Sequence, residues 1–140
     1  AAGAMAEAAR AAGDGETAAW AQDLRRGVRE AAAERLWDAG AGAFRASTGL
    51  ERGNIDVWGN ALAAESGFAS PAQEASIFAF FRRHASGIFY EGQVRQVAFP
   101  EQWSSRSAGG WQDPQSTVRT YQNGGFWATP HHHVLPFLAR

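Results

Sequence analysis

The chain has 140 residues and a formal net charge of −1, from 13 basic and 14 acidic side chains. This length suits one compact domain, and the charge balance provides no field that would attract nucleic acid or an anionic membrane. Cysteine and lysine are both absent from the sequence, which excludes thiolate catalysis and a Schiff-base lysine within the chain. No apolar run approaches the roughly 20 residues of a membrane span. We therefore expect neither a nucleic-acid partner nor a membrane partner.

The first third of the sequence predicts two helices. Residues 1–12 are almost all alanine, the strongest helix former, and the glycines at 13 and 15 interrupt that pattern. A second helix is predicted over residues 17–36. Its apolar side chains recur at helical spacing on one face, which we expect to enter the core: Trp20, Leu24, Val28 and Ala31.

Two further helices are predicted from capping signals. A third helix begins at Asp56 and runs to about residue 66. Ser70 and Pro71 are typical of an N-cap and a first helical position, so a fourth helix is predicted over residues 71–84. The short connection between these two helices favours an antiparallel hairpin.

The segment 88–128 differs in composition, because it is rich in Gly, Trp, Gln and Ser. Only residues 88–97 suggest a short extended stretch. Irregular segments of this length are uncommon in compact domains and are usually functional. A last helix is predicted to begin near Thr129 and Pro130. The pattern as a whole predicts an all-α fold of antiparallel helical hairpins with one long irregular loop region.

Three stretches of the sequence carry longer motifs. Residues 36–44 read Leu-Trp-Asp-Ala-Gly-Ala-Gly-Ala-Phe, residues 54–63 contain Asp-Val-Trp-Gly, and residues 121–130 contain Tyr-Gln-Asn-Gly-Gly-Phe-Trp. Together, over about residues 34–135, they resemble the C-terminal portion of the six-hairpin glycosidase superfamily. The resemblance implies a carbohydrate substrate, hydrolysis of glycosidic bonds by carboxylate acid/base catalysis, and no cofactor.

The same resemblance implies a toroid of twelve helices, written (α/α)6. Twelve helices with their connections need roughly 190 residues. Residues 1–140 are therefore expected to form a single partial domain of about two and a half helical hairpins. The expected partners, besides the carbohydrate, are the remaining helices of the toroid or a second copy of the chain.

Glycoside hydrolysis needs two carboxyl groups, and three candidates lie in the motif-bearing regions. Glu91 is the preferred acid/base, because its aromatic neighbours would favour the protonated form. Asp56 is expected to be its partner or a sugar ligand, although an N-cap is its simpler role. Glu101 is the next candidate for acid/base catalysis.

Sugar binding needs aromatic rings that stack on pyranose faces and polar groups that pair with hydroxyls. Trp58, Tyr90 and Trp127 are the expected stacking platforms, and the amides of Gln122 and Asn123 are the expected hydroxyl partners. We expect no metal site in the run of histidines at 131–133, because consecutive side chains on a helix point about 100° apart.

Two other interpretations stay open at this stage. The chain is also consistent with a non-catalytic sugar-binding or helical scaffold module that keeps the platform without the acid. A helical-repeat interaction protein is the third option. The Gly, Trp and Gln content of residues 88–128 favours the carbohydrate interpretations, since an interaction scaffold has no need of it.

Overall fold

Two units make up the chain, Ala1–Arg35 and Leu36–Arg140, and the computed structural model describes residues 2–98, 100, 101, 103 and 125–139. Within those residues, helices α1 to α6 span Ala2–Ala11, Gly15–Arg35, Val57–Glu65, Pro71–Arg83, Ala85–Ile88 and His131–Leu138. Strands β1 to β5 span Trp37–Asp38, Ala43–Phe44, Phe89–Tyr90, Gln93–Arg95 and Phe126–Trp127.

The first unit is a hairpin of α1 and α2. Gly13 adopts a left-handed φ of 77° in the turn, and the Asp14 carboxylate then caps α2 by accepting from the Thr17 amide at 2.9 Å. Small side chains let the two helices approach closely, and the buried residues of the hairpin are all alanines: Ala6, Ala9, Ala18 and Ala21.

The prediction that Trp20, Leu24 and Val28 form the buried face of α2 is wrong. Trp20, Leu24 and Val28 are 57%, 44% and 50% exposed. The alanine face of α2 is buried instead, because α1 presents alanines of matching size on its own buried face. An apolar period identifies a face that can be buried, but it does not say which neighbour is available to cover it.

The all-α prediction, and with it the partial toroid, is contradicted by two small antiparallel sheets. In the first, Trp37 pairs with Phe44 and Asp38 with Ala43. The Asp38 carboxylate closes the connection by accepting from the backbone N–H of Gly40 and of Ala41 at 2.9 and 3.0 Å. A local side-chain bond of this kind satisfies the turn and lets the flanking residues pair as strands.

The second sheet has the order β3-β4-β5. Strands β3 and β4 form a hairpin whose two turn residues, Glu91 and Gly92, have φ values of 47° and 75°. Positive φ at both central residues is the geometry of a type I′ turn, which matches the right-handed twist of the strands. The five strands of the two sheets have two or three residues each, too few for a period of two to be visible in the sequence.

The predicted third and fourth helices are confirmed. Asp56 is the N-cap of α3, and Ser70 caps α4. The Ser70 hydroxyl accepts from the Gln73 amide, and the Gln73 side chain accepts from the Ser70 amide, which completes a capping box. These reciprocal bonds satisfy two amides that the helix leaves without partners.

Aromatic side chains form the core of the second unit. The Phe81 ring of α4 lies 5.4 Å from the Phe137 ring of α6 and 6.2 Å from the Phe89 ring of β3. Val57, the first residue of α3, is fully buried, as are Ile77 and Val134. Burial of these groups, at about 25 cal/mol for each Å² of apolar surface, holds the helices against the second sheet.

Candidate functional site

The residue before α3 lies where the two sheets meet. Ile55 forms an antiparallel bridge with Arg45, just after β2, and Asp56 forms one with Val97, just after β4. The next amide, that of Val57, donates to the carbonyl of Gln96 at 2.8 Å. Backbone pairing on both sides thus fixes Asp56 at the start of α3.

The two oxygens of the Asp56 carboxyl have different surroundings. Oδ1 accepts hydrogen bonds from the amides of Trp58 and Gly59 at 3.1 and 3.2 Å. Among the described residues, Oδ2 has no hydrogen-bond partner. It is accommodated by the absence of a side chain at Gly59, since a Cβ there would lie 3.0 Å from Oδ2.

Burial raises the pKa of the Asp56 carboxyl above its ordinary value, although the amides of Gly59 and Trp58 oppose the shift. Desolvation disfavours the charged form, and here it outweighs the two hydrogen bonds that favour that form. The result is a carboxyl that is fixed through one oxygen and can carry a proton on the other.

Tyr90 and Trp127, both expected sugar platforms, lie on opposite faces of the second sheet. Tyr90 pairs with Gln93, and Arg95 pairs with Phe126. Since directly paired residues and alternate residues of a strand share a face, these four side chains lie on one face. Trp127 pairs with Val94 and lies on the other face, together with Phe89, which packs against α4.

The face that carries Tyr90 has an aromatic cluster. The Tyr90 and Phe126 rings are 5.5 Å apart and tilted by 45°, and the Arg95 guanidinium lies 5.8 Å from the Phe126 centroid. Tyr90 is 60% exposed. The Phe126 ring packs beside Tyr90, and the exposed Tyr90 ring presents a flat apolar surface on which a ligand can stack.

The three predicted carboxyls occupy different places. Glu91 is exposed in the β3–β4 turn, at the opposite end of β4 from Asp56. At about 3.3 Å per residue, the four steps from Gln93 to Val97 span about 13 Å. Catalytic carboxyl pairs in glycosidases lie about 5 to 9.5 Å apart, so the backbone does not bring Glu91 towards Asp56.

Glu101 lies at the same end of β4 as Asp56. Its amide donates to the carbonyl of Ala98 at 2.9 Å in a turn just after Val97. Its own carbonyl accepts from Arg95 Nη2 at 3.4 Å, which folds the segment back onto the strand. The Glu101 side chain is exposed, so its carboxylate meets solvent at the end of β4 where Asp56 joins the sheet.

Trp58 is half-buried in the first turn of α3. Its indole Nε1 is buried and has no hydrogen-bond partner within the described part of the chain. By contrast, the buried indole of Trp103 donates to the side-chain oxygen of Gln96 at 3.2 Å. Orphaned buried donors are rare in folded proteins, so Trp58 is a candidate donor to a water or a ligand oxygen. Gln122 and Asn123 lie outside the described residues.

The histidines at the start of α6 make separate contacts. His132 Nδ1 lies 2.7 Å from the carbonyl oxygen of Thr129. His133 Nδ1 lies 3.4 Å from Glu65 Oε2 at the end of α3. Over residues 2–98, 100, 101, 103 and 125–139, no group of three or more His, Asp or Glu side chains has the arrangement of a metal site.

Two residues near Asp56 were not predicted from the sequence to belong to the site. Gly59 provides the space beside Oδ2, and Asn60 donates to the Asp56 carbonyl at 2.9 Å. Both follow Asp56 within one helical turn. Their position could have indicated a role at the site. Glycine and asparagine have low helix propensity, so their presence in the first turn of a helix suggests a specific local contact.

No protein family, curated protein or solved structure matched this chain in the three comparisons. Within the described residues, no helix is both long enough and apolar enough to cross a membrane.

Proposed function

We propose that this is a carbohydrate-active chain of the glycoside hydrolase type, in which Asp56 is the general acid. One observation carries the proposal: the Asp56 carboxyl is fixed through Oδ1, has no partner for Oδ2 among the described residues, and has a pKa that partial burial raises. Glycosidic cleavage needs a carboxyl that holds a proton for the leaving oxygen. Of the three predicted carboxyls, Asp56 is the one that burial favours in its protonated form.

Glu101 supplies the second carboxylate in this proposal. The proton on Asp56 passes to the glycosidic oxygen as the bond from that oxygen to the anomeric carbon breaks. Water attacks the anomeric carbon and gives its proton to the Glu101 carboxylate. Glu101 is favoured over Glu91 because the turn after Val97 lies at the same end of β4 as Asp56.

The cluster of Tyr90 and Phe126 supports carbohydrate as the ligand class. An exposed tyrosine ring buries the C–H face of a pyranose, while its hydroxyl and nearby side chains pair with sugar hydroxyls. This cluster also supports a second candidate function, a non-catalytic sugar-binding module, because a platform needs no acid.

Hydrolysis of aryl glycosides tests the proposal. The full chain is assayed with a panel of aryl glucosides, galactosides, mannosides and xylosides, together with the variants Asp56→Asn and Asp38→Asn. Asp38 is a matched control, because its carboxylate also accepts two backbone N–H bonds but caps a turn instead of α3. We expect Asp56→Asn to lower kcat by a factor of at least about 100, and Asp38→Asn to leave it unchanged.

The same assay separates the two candidate functions. Turnover that survives Asp56→Asn contradicts Asp56 as the acid. Absence of turnover on every substrate, combined with saturable binding of a sugar that Tyr90→Ala abolishes, identifies a binding module. Absence of both turnover and binding contradicts a carbohydrate function.

A further inference from the structure

The first unit carries an apolar stripe that the hairpin itself does not bury. The stripe consists of Trp20, Leu24 and Val28, which are spaced four residues apart along α2 and are each at least 44% exposed. Successive residues of this spacing lie on one side of a helix. A contiguous row of three large apolar side chains on one helix face indicates an interaction surface, whereas a single exposed apolar side chain does not.

The stripe is distinct from the surface that packs on α1. Ala18 and Ala21 are the buried residues of α2, and Arg25 lies beside Gly3, where an added Cβ would be 3.2 Å from the guanidinium. At about 100° per residue, the centre of this buried face is about 90° from Leu24 around the helix. The contact between α1 and α2 therefore leaves the stripe free.

A column of carboxylates borders the stripe on the side away from α1. Glu16, Asp23 and Glu30 recur every seven residues and are all exposed, and Glu34 continues the column. At about 100° per residue, they lie about 80° to 120° from Leu24, on the side opposite Ala18 and Ala21. Of the four carboxylates, only Asp23 has an ion pair within the described part of the chain, with Arg26 at 2.9 Å, and that pair is exposed and weak.

We infer that this surface of α2 binds an amphipathic helix whose apolar face is bordered by lysine or arginine. Burial of Trp20, Leu24 and Val28 supplies the attraction, and the carboxylate column selects a basic border. Flanking charges of this kind set partner choice and orientation in paired helices. A second copy of the chain fits less well, because antiparallel pairing places the two acidic columns against each other.

Two synthetic peptides test this surface on the full chain. Both carry the same stripe of leucines at helical spacing, and one has lysine where the other has glutamate along the border. By isothermal titration calorimetry, we expect the lysine peptide to bind and to weaken with added salt. We expect the glutamate peptide to bind at least about tenfold more weakly.

Variants test whether the apolar stripe is responsible for peptide binding and the carboxylate column for the preference between the two peptides. Leu24→Glu should abolish binding, whereas Leu50→Glu, at an exposed leucine of the second unit, should leave it unchanged. The triple variant Glu16→Arg, Asp23→Arg, Glu30→Arg should reverse the preference between the peptides. Circular dichroism checks that each variant keeps its helices.

Each remaining outcome overturns the inference. Equal binding of the two peptides, or binding unaffected by Leu24→Glu, removes the acidic column or the stripe from the explanation. No binding of the lysine peptide shows that the surface does not take a basic helix. Self-association by analytical ultracentrifugation that Leu24→Glu abolishes makes a second copy the occupant instead.

Discussion

Asn60 and Phe44 exchange two hydrogen bonds although they are 16 residues apart in sequence. The Phe44 amide donates to Asn60 Oδ1, and Asn60 Nδ2 donates to the Phe44 carbonyl, both at 2.8 Å. The buried side-chain amide thus takes the place of a strand beside β2. The same Nδ2 donates to the Asp56 carbonyl at 2.9 Å, so one residue ties the first sheet to the residue that caps α3.

Replacement of Asn60 by leucine should destabilise the protein strongly. Leucine has a similar volume but leaves the buried amide and carbonyl of Phe44 without partners, and each unsatisfied group costs about 1–3 kcal/mol. We expect the free energy of unfolding to fall by about 3 kcal/mol, measured by urea denaturation. Leu62→Ala, at an exposed position of the same helix, is the control and should change it by less than about 0.5 kcal/mol. Equal stability of Asn60→Leu and the parent protein contradicts this role.

Stability should depend on pH through Asp56. Burial holds the pKa of this carboxyl in the folded protein above its unfolded value, so ionisation opposes folding. The destabilisation is absent below the unfolded pKa of about 4, grows as pH rises, and is complete above the folded pKa. Asp56→Asn has no such ionisation.

The stability of Asp56→Asn relative to the parent protein should therefore rise with pH across that interval and then level off. Urea denaturation at a series of pH values measures the difference. A difference that stays constant, or falls as pH rises, shows that the Asp56 pKa is not raised in the folded protein.

The backbone of Glu91 in the β3–β4 turn is expected to be strained. Its φ of 47° lies in the left-handed region, which disfavours residues with a side chain by about 1–2 kcal/mol. Glu91→Gly should therefore raise the free energy of unfolding by about 1 kcal/mol. Gln93→Gly, two residues later in β4, should lower it by about 0.5–1 kcal/mol. Thermal unfolding of the two variants compares them, and destabilisation by Glu91→Gly would show that the side chain makes a stabilising contact.

Two of the helical glycines, Gly27 and Gly59, should respond differently to alanine. A Cβ at Gly27 meets nothing within 4 Å, whereas a Cβ at Gly59 lies 3.0 Å from Asp56 Oδ2. Gly27→Ala should stabilise the protein by up to about 1 kcal/mol through helix propensity. Gly59→Ala should move the Asp56 carboxyl and lower sugar binding or turnover while the protein stays folded. Unchanged function in Gly59→Ala would mean that Oδ2 is not used.

Local signals predicted α3 and α4 because their starts are encoded within a few residues. Asp56 precedes an apolar helical run, and Ser70 with Pro71 forms a capping sequence. The capping hydrogen bonds join residues that are close in sequence, so the sequence alone is enough to predict them.

The sheets and the properties of the site depend on distant partners. The pKa of Asp56 is raised by burial, and nothing near Asp56 in the sequence identifies its backbone partner, Val97. The exposure of Trp20 has the same origin, since the alanine face of α1 covers Ala18 and Ala21 instead. In each case the outcome is decided by a packing partner that the local sequence pattern does not identify.

A saccharide titration followed by NMR at the carboxyl carbon of Asp56 tests whether Asp56 lies in a sugar site. The full chain, labelled with ¹³C in its aspartates, is titrated with each disaccharide of a panel, and Asp38 provides an internal control. A sugar site at Asp56 predicts that at least one disaccharide shifts the Asp56 signal saturably and leaves Asp38 unchanged. If no disaccharide shifts the Asp56 signal, or if Asp56 and Asp38 shift together, the site does not bind carbohydrate.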